Sequence, residues 1–293
     1  KGDEVITTSH TALATIAAIV NVGATPVIVD IEKNYYTIDS SKIIKKINKK
    51  TKAIVPVHIY GQCCDMKEII NIAKKKKIFV VEDCAQSLGS QIGRKKVGTF
   101  GDIGIFSFYP TKILGAIGDG GMIVTNNKSL GKKLYKMREY GWDANRTTRG
   151  TGINSRLDEI QAGILNIKFR NLDKANEKRI KISQYYIKKI SNNLIRLPEV
   201  RPNTKHIFHI FAILVNNRNR FIKYLRKKKI NPGIHYPKPA CFNNGYKEKC
   251  LFLKKDIKRT IFISKSTVSI PIYPELHKKN LTKIVRILND YKK

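Results

Sequence analysis

Three short segments carry residue types that could do chemistry. In Val80-Val81-Glu82-Asp83-Cys84-Ala85-Gln86, an apolar run ends on carboxylates. A carboxylate at the end of a buried strand is costly unless it has a cationic partner. In Phe106-Ser107-Phe108-Tyr109-Pro110-Thr111-Lys112, a lysine follows another apolar run. Held in an enclosed pocket, such a lysine loses affinity for its proton and its amine becomes nucleophilic. The third segment, Gly115-Ala116-Ile117-Gly118-Asp119-Gly120-Gly121, is a glycine-rich turn that lets backbone approach a ligand. Singly, each has a blander reading: a strand-end Asp as a turn or cap residue, a lone Lys as a solvated one. The glycine run is neither a P-loop, since no Gly-Lys-Ser/Thr closes it, nor the dinucleotide fingerprint. Together, Asp83 and Lys112 are the pair that pyridoxal-phosphate (PLP) chemistry needs. The lysine makes a Schiff base with the aldehyde, and the carboxylate keeps the pyridine nitrogen protonated so that the ring acts as an electron sink.

Positioning these residues takes alternating strands and helices. Short β-branched runs at 3–8, 25–31, 53–60, 78–82, 103–108 and 122–125 read as strands. Helical stretches fit between several of them, at 12–20, 40–48 and 66–75. The spacing of the second to fourth strands suits βαβ crossovers, and their near-continuous apolar character suits strands covered on both faces. The expectation is an α/β fold with a mostly parallel sheet between helices, its ligands bound at the carboxyl ends of the strands. A long helix running to about residue 190 follows. Leu157, Ile160, Ile164, Ile167 and Leu172 mark one apolar face, and Ser155-x-x-Asp158 forms a capping box. Beyond it, strands are expected at 207–215 and 267–270 and helices at 221–228 and 279–290. The chain divides near residue 170 into a large domain, 1–170, and a smaller C-terminal α/β domain, 171–293.

Composition excludes several classes. Five cysteines, two adjacent and none in a C-x-x-C pair, argue against a disulfide framework and against a metal site of the zinc type. No stretch reaches the roughly 18 apolar residues of a membrane helix, and a cytoplasmic protein with no membrane partner is expected. The formal charge of +35 raises nucleic-acid binding, but the basic residues are spread along the chain without aromatic-studded motifs. No nucleic-acid partner is therefore expected, while the field favours anionic small substrates.

With these segments in view, the sequence resembles the PLP-dependent sugar aminotransferases of the DegT/DnrJ/StrS type. The likeness is carried by GDEVITTSHTALAT, GATPVIVDI, AIVPVHIYGQ, VEDCAQSLGS, GTFGDIGIFSFYPTKILGAIGDGG, GINSRLDEIQAG, GIHYPKP and SIPIYPEL. It implies the fold-type-I aminotransferase architecture and a homodimer with shared active sites. By that resemblance Lys112 binds the cofactor covalently and moves the proton between sugar carbon and cofactor. Asp83 pairs with the pyridine nitrogen, Gln86 contacts the ring hydroxyl, Ser107 holds the phosphate, and Asn154 reaches the phosphate from the neighbouring subunit. Relatives that are dehydratases carry histidine in place of the lysine, so Lys112 implies transamination. His235 and Tyr236 resemble the segment lining the sugar-nucleotide site; His235 also reads as a structural histidine. His58, Tyr60, Trp142 and Arg156 are further candidates for the substrate pocket, Arg156 alternatively making a helix-start salt bridge.

The implied reaction moves an amino group, from a donor such as glutamate, to a keto group of a nucleotide-linked deoxysugar. The look of 154–161 is nearest to enzymes aminating dTDP-3-keto-6-deoxyhexoses. Three departures stand out. Family members carry several dozen residues, with a Gly-Thr phosphate-binding turn, before the segment that opens this chain. The expectation is thus an N-terminally truncated member, with a catalytically inactive or regulatory relative as the alternative. The aromatic residue that often follows Thr11 is Ala12 here, leaving His10 to stack on the cofactor. Cys241 stands where many relatives carry histidine, which alters substrate contacts there.

Overall fold

A computed structural model describes residues 1–148 and 150–292. Its first half is built from β1 (Glu4–Thr8), α1 (Leu13–Asn21), β2 (Thr25–Val29), α2 (Ser40–Ile43), β3 (Thr51–Val55), α3 (Met66–Lys76) and β4 (Phe79–Asp83). A short hairpin, β5 (Gln91–Ile92) and β6 (Lys95–Lys96), precedes β7 (Ile103–Ser107) and β8 (Gly121–Val124). The large sheet has the order β2-β1-β3-β4-β7-β8, parallel except for β8. Ile6, Ile54 and Val80 are buried at the centre of these strands. Each such side chain contributes on the order of 1.5–3 kcal/mol by leaving water. Helix α3 shows how the sequence sets an element. Asp65 caps its start by accepting the Glu68 N–H at 3.3 Å, and Met66, Ile69, Ile72 and Ala73 form its buried face. It stops where Lys77 turns left-handed at φ 54°.

The second half runs through α4 (Lys128–Met137), α5 (Glu159–Phe169), α6 (Leu172–Lys189), β9 (Ile195–Arg196), β10 (Thr204–Lys205), β11 (Phe211–Val215), α7 (Arg218–Lys227), α8 (Asn244–Lys247), α9 (Lys258–Ser266), β12 (Thr267–Ile270) and α10 (Lys278–Asn289). An antiparallel sheet of order β12-β11-β9 packs with α6, α7 and α10 around Tyr186, Phe211, Phe221, Val268 and Leu288. Strand β11 is buried at every position, which matches its unbroken apolar sequence. All five cysteines are free and buried. Among the described residues no helix is long and apolar enough to cross a membrane.

Several expected elements differ. The single helix to residue 190 is two helices, because Arg170 and Asn171 break it and Asn171 leaves helical geometry at φ −104°, ψ 4°. Asn competes for backbone hydrogen bonds and favours such boundaries. The Ser155/Asp158 capping box does not form. Asp158 precedes the first turn without a side-chain cap, and the Ser155 N–H bonds the Arg138 carbonyl instead. The apolar stripe faces the core only in part: Leu172 is buried and Leu157 packs against the same cluster, whereas Ile160 and Ile167 are 68% and 64% exposed and Leu165 and Gln161 are buried instead. The helix expected at 40–48 is one α-turn followed by a 3-10 turn, Ile44–Lys46.

Candidate active site

In the large sheet the connection from β1 leads outward to β2, and the chain then returns past β1 to β3. That reversal opens a crevice at the carboxyl ends of the parallel strands. His10 follows β1, Tyr60 follows β3, Asp83 ends β4 and Ser107 ends β7, so parallel pairing brings all four to one edge. Asp83 is held by its backbone first: its N–H donates to the Pro56 carbonyl at 2.9 Å, and its own carbonyl accepts the His58 N–H at 3.0 Å. The buried carboxylate accepts the Thr15 hydroxyl at 2.7 Å and the Ala85 N–H at 3.1 Å. Thr15 lies on α1 and shares a 2.8 Å hydrogen bond with Thr11.

Lys112 stands in the turn after β7, its N–H donating to the Tyr109 carbonyl at 2.8 Å. The turn is tight. A Cβ on Gly115 would lie 2.3 Å from the Pro110 carbonyl oxygen, so only glycine fits. This glycine serves the chain's own packing rather than the approach of a ligand. Helix α5 grips the same turn from outside. Gln161 accepts the Gly118 N–H at 2.9 Å and donates to the Asp119 carbonyl at 3.2 Å, and Lys168 donates to the Gly115 carbonyl.

Burial pushes the Lys112 ammonium below the ordinary lysine pKa, while the Asp83 carboxylate pulls it back up. Each therefore lies in the other's field. Yet among the described residues no salt bridge or hydrogen bond joins them, and Lys112's amine has no partner at all. Gln86 and Tyr236 close one side: the Gln86 amide accepts the Tyr60 N–H at 2.8 Å and donates to the Tyr236 hydroxyl at 2.9 Å. Burial raises the Tyr236 phenol to about 12. His235 shares a 2.8 Å bond with the Ser269 hydroxyl, and burial, then the charge of Lys112, lowers its pKa. Ser107 is half-buried, its hydroxyl accepting the Tyr109 N–H at 3.3 Å.

Of the remaining candidates, some are spent on internal bonds and others lie apart from this cluster. His58 is fully buried: Nδ1 accepts the Cys64 N–H at 3.0 Å and Nε2 faces Glu82 at 3.1 Å. With both nitrogens engaged it is a structural histidine, not a substrate contact. Glu82 also accepts the N–H groups of Gly98, Phe100 and Gly101 at 2.6 to 2.8 Å. The donor atoms of His58, Glu82 and Cys84 lie within 4.8 Å of one another, but these bonds leave the carboxylate and imidazole no free position for a metal. His10 is 1% exposed, with Nε2 bonded to the Tyr60 hydroxyl at 2.9 Å and its ring edge-on to Tyr36 and Tyr60. Neither face is open to a stacked ring, which corrects that expectation. Tyr60 is itself 3% exposed and spends its hydroxyl on His10 and on the His235 carbonyl, so it supports the pocket from beneath. Asn154 and Arg156 are exposed and bond each other at 2.9 Å, and Trp142 packs on Tyr140; none touches the Lys112 cluster.

Sequence reasoning missed two residues here: Thr15 and Gln161. Thr15 had a signal, since it stands one helical turn from Thr11 near the start of an apolar helix. Gln161 depends on which way a distant element faces.

The donor set suits a planar cationic ring with an aldehyde. The buried carboxylate has acceptor capacity left, and the lysine amine, of lowered basicity, has no hydrogen-bond partner among the described residues. Known proteins agree in family. Residues 1–289 match the model of the DegT/DnrJ/EryC1/StrS aminotransferase family. A dTDP-3-amino-3,6-dideoxy-alpha-D-galactopyranose transaminase of Aneurinibacillus thermoaerophilus is 43% identical over 290 residues, covering 99% of this chain and 79% of that protein. A UDP-N-acetyl-3-dehydro-alpha-D-glucosamine 3-aminotransferase of Acidithiobacillus ferrooxidans is 38% identical, over 98% and 77% of the two chains. The X-ray structure of DesV from Streptomyces venezuelae, in complex with a ketimine intermediate, superposes with a TM-score of 0.95 at 32% identity, covering 99% of this chain and 78% of that one.

Proposed function

The chain belongs to the DegT/DnrJ/EryC1/StrS aminotransferase family, and from that membership we propose that it transfers an amino group, with glutamate as donor, to the keto group of a nucleotide-linked deoxysugar, using PLP held between Asp83 and Lys112. The transaminase names of its relatives support the substrate class. The observation that carries the reading is the unbridged pair: two opposite charges in each other's field, at neighbouring strand ends, with no bond between them.

PLP supplies an electron sink for the carbon being aminated. The residues do the rest. Asp83, kept buried and ordered by Thr15, would hold a proton on the ring nitrogen. Lys112, desolvated, would hold the cofactor through its free amine and would move the proton to and from the substrate carbon. Gln86, fixed by Tyr60, would hold the ring hydroxyl, and Ser107 the phosphate. Tyr236 and His235 face the sugar. The apolar residues that α5 leaves exposed support a homodimer in which Asn154 and Arg156 act across the interface on a neighbouring site.

Absorbance tests the reading. Addition of PLP to the purified chain produces a visible band that borohydride reduction fixes on the peptide containing Lys112; Lys112→Ala abolishes both. A band that survives this substitution overturns the assignment.

A further inference from the structure

We propose that His10 and Tyr60 are the positioning pair for the segment that faces the sugar: the His10 Nε2–H donates to the Tyr60 hydroxyl, and that hydroxyl donates to the His235 carbonyl. The inference rests on the aminotransferase reading for the identity of the substrate and on contacts within the chain for the pair itself.

The segment 233–236 is held on two sides. Toward the antiparallel sheet, Gly233 and Ser269 exchange backbone hydrogen bonds at 2.9 and 2.8 Å, and the His235 ring shares its bond with the Ser269 hydroxyl. Toward the large sheet, its hydrogen bonds among the described residues run through one residue. The Tyr60 hydroxyl holds the His235 carbonyl directly. The Tyr236 hydroxyl is held by Gln86, whose amide oxygen in turn takes the Tyr60 N–H. Tyr60 is therefore the bracket between the strand ends around Asp83 and the segment that faces the sugar. Its backbone is left-handed, at φ 61° and ψ 2°. Bulky residues seldom occupy that region, and they stay there only where the surroundings impose it.

Counting protons fixes the direction of each bond. A carbonyl only accepts, so the single hydroxyl proton of Tyr60 goes to His235. Toward His10, 2.9 Å away, the same oxygen must then accept, and Nε2 must carry a proton. Burial lowers His10 to about 4, so at neutral pH its ring has one proton only. With that proton on Nε2, Nδ1 is left as a bare lone pair, and Nδ1 is the atom buried without a partner. The opposite tautomer would leave two acceptors, Nε2 and the His235 carbonyl, competing for one hydroxyl proton. The His10 N–H donates to the Thr8 hydroxyl at 3.2 Å, which ties the imidazole to the end of β1.

Tyr60 reaches Gln86 by its backbone and His235 by its side chain. A change at the hydroxyl therefore acts first on the segment that faces the sugar, and the Gln86 arm keeps its bond.

The pair is tested first in cofactor-free chain. Nitrogen NMR of the His10 ring, its signals identified by their loss in His10→Gln, shows the proton on Nε2. Tyr60→Phe keeps the ring and the N–H but removes the hydroxyl, and the tautomer preference relaxes. Exchange of the Gly233 amide accelerates about 10-fold in Tyr60→Phe, the effect of one lost hydrogen bond, and by a smaller factor in His10→Leu. The double variant exchanges no faster than Tyr60→Phe alone, because His10 acts through Tyr60. His10→Gln, which keeps an N–H donor, recovers most of the His10→Leu loss. The PLP-loaded chain is then assayed with glutamate and, as acceptor probe, dTDP-3-keto-6-deoxyglucose. Tyr60→Phe raises KM for the acceptor about 10-fold and lowers kcat by less than about threefold, whereas loss of folded protein would lower kcat and leave KM unchanged. A proton on Nδ1, an additive double variant or an unchanged KM overturns the proposal. A parent chain with no visible band or no turnover counts against the aminotransferase reading instead, and the ring signals and the exchange cycle then decide the pair alone.

Discussion

Asp83 carries its charge where the chain can least easily keep one. Two hydrogen bonds, from Thr15 and Ala85, fix its position inside the sheet edge. Its effect on Lys112 has a definite sign: burial lowers the lysine, the carboxylate raises it. Asp83→Asn removes the raising influence, so the neutral amine appears at lower pH. Competitive acetylation of Lys112 in cofactor-free protein, followed against pH, therefore moves its midpoint in the acid direction; a midpoint that stays or rises contradicts the electrostatic pairing. At this scale the sequence was readable where a residue's position follows from its place at or just past a strand end, as for Asp83 and Lys112. It was not readable for His58. That imidazole follows β3 just as Tyr60 does, yet it turns inward to Glu82, and only the packing of β4 beside β3 decides this.

The element that governs the lysine turn is α5, not the turn itself. Gln161 satisfies the Gly118 N–H and the Asp119 carbonyl with one amide, across 43 and 42 residues of chain. Gln161→Leu strips both bonds and costs about 1–3 kcal/mol of local stability, the usual penalty for orphaned polar groups. Amide exchange at 115–120 then accelerates, while exchange in β1 and β3 does not change. Equal acceleration everywhere would show that α5 braces the whole sheet instead. Strands and crossover helices were legible here because buried parallel strands leave unbroken apolar runs at regular intervals. The α5–α6 break was less so. An apolar stripe at helical spacing looks the same whether it faces its own core or open solvent, and Ile160 and Ile167 face out.

Among the described residues, burial disfavours the charged form of four imidazoles, His10, His206, His209 and, in direction, His235. His10 falls to about 4, partly offset by Asp30, and His206 and His209 fall to about 3. The unfolded chain takes up these protons near 6.5, while the native one refuses them until far lower. Stability is therefore intact above about pH 6.5 and declines as pH drops toward 4. Each histidine contributes a slope of up to about 1.4 kcal/mol per pH unit. Urea midpoints at pH 7.5 and 5.0 measure the decline, and His206→Gln, which keeps an acceptor for the Phe208 N–H, flattens it. A pH-independent midpoint refutes the account.

The cysteines take on a further use in this light. All five lie inside the fold, and burial raises every one, Cys63 and Cys250 to about 12. Only the thiolate attacks disulfides and alkylating agents, so burial slows the reaction of every native thiol with such reagents. Any thiol that does react is then a clock reading how often its corner of the fold comes open.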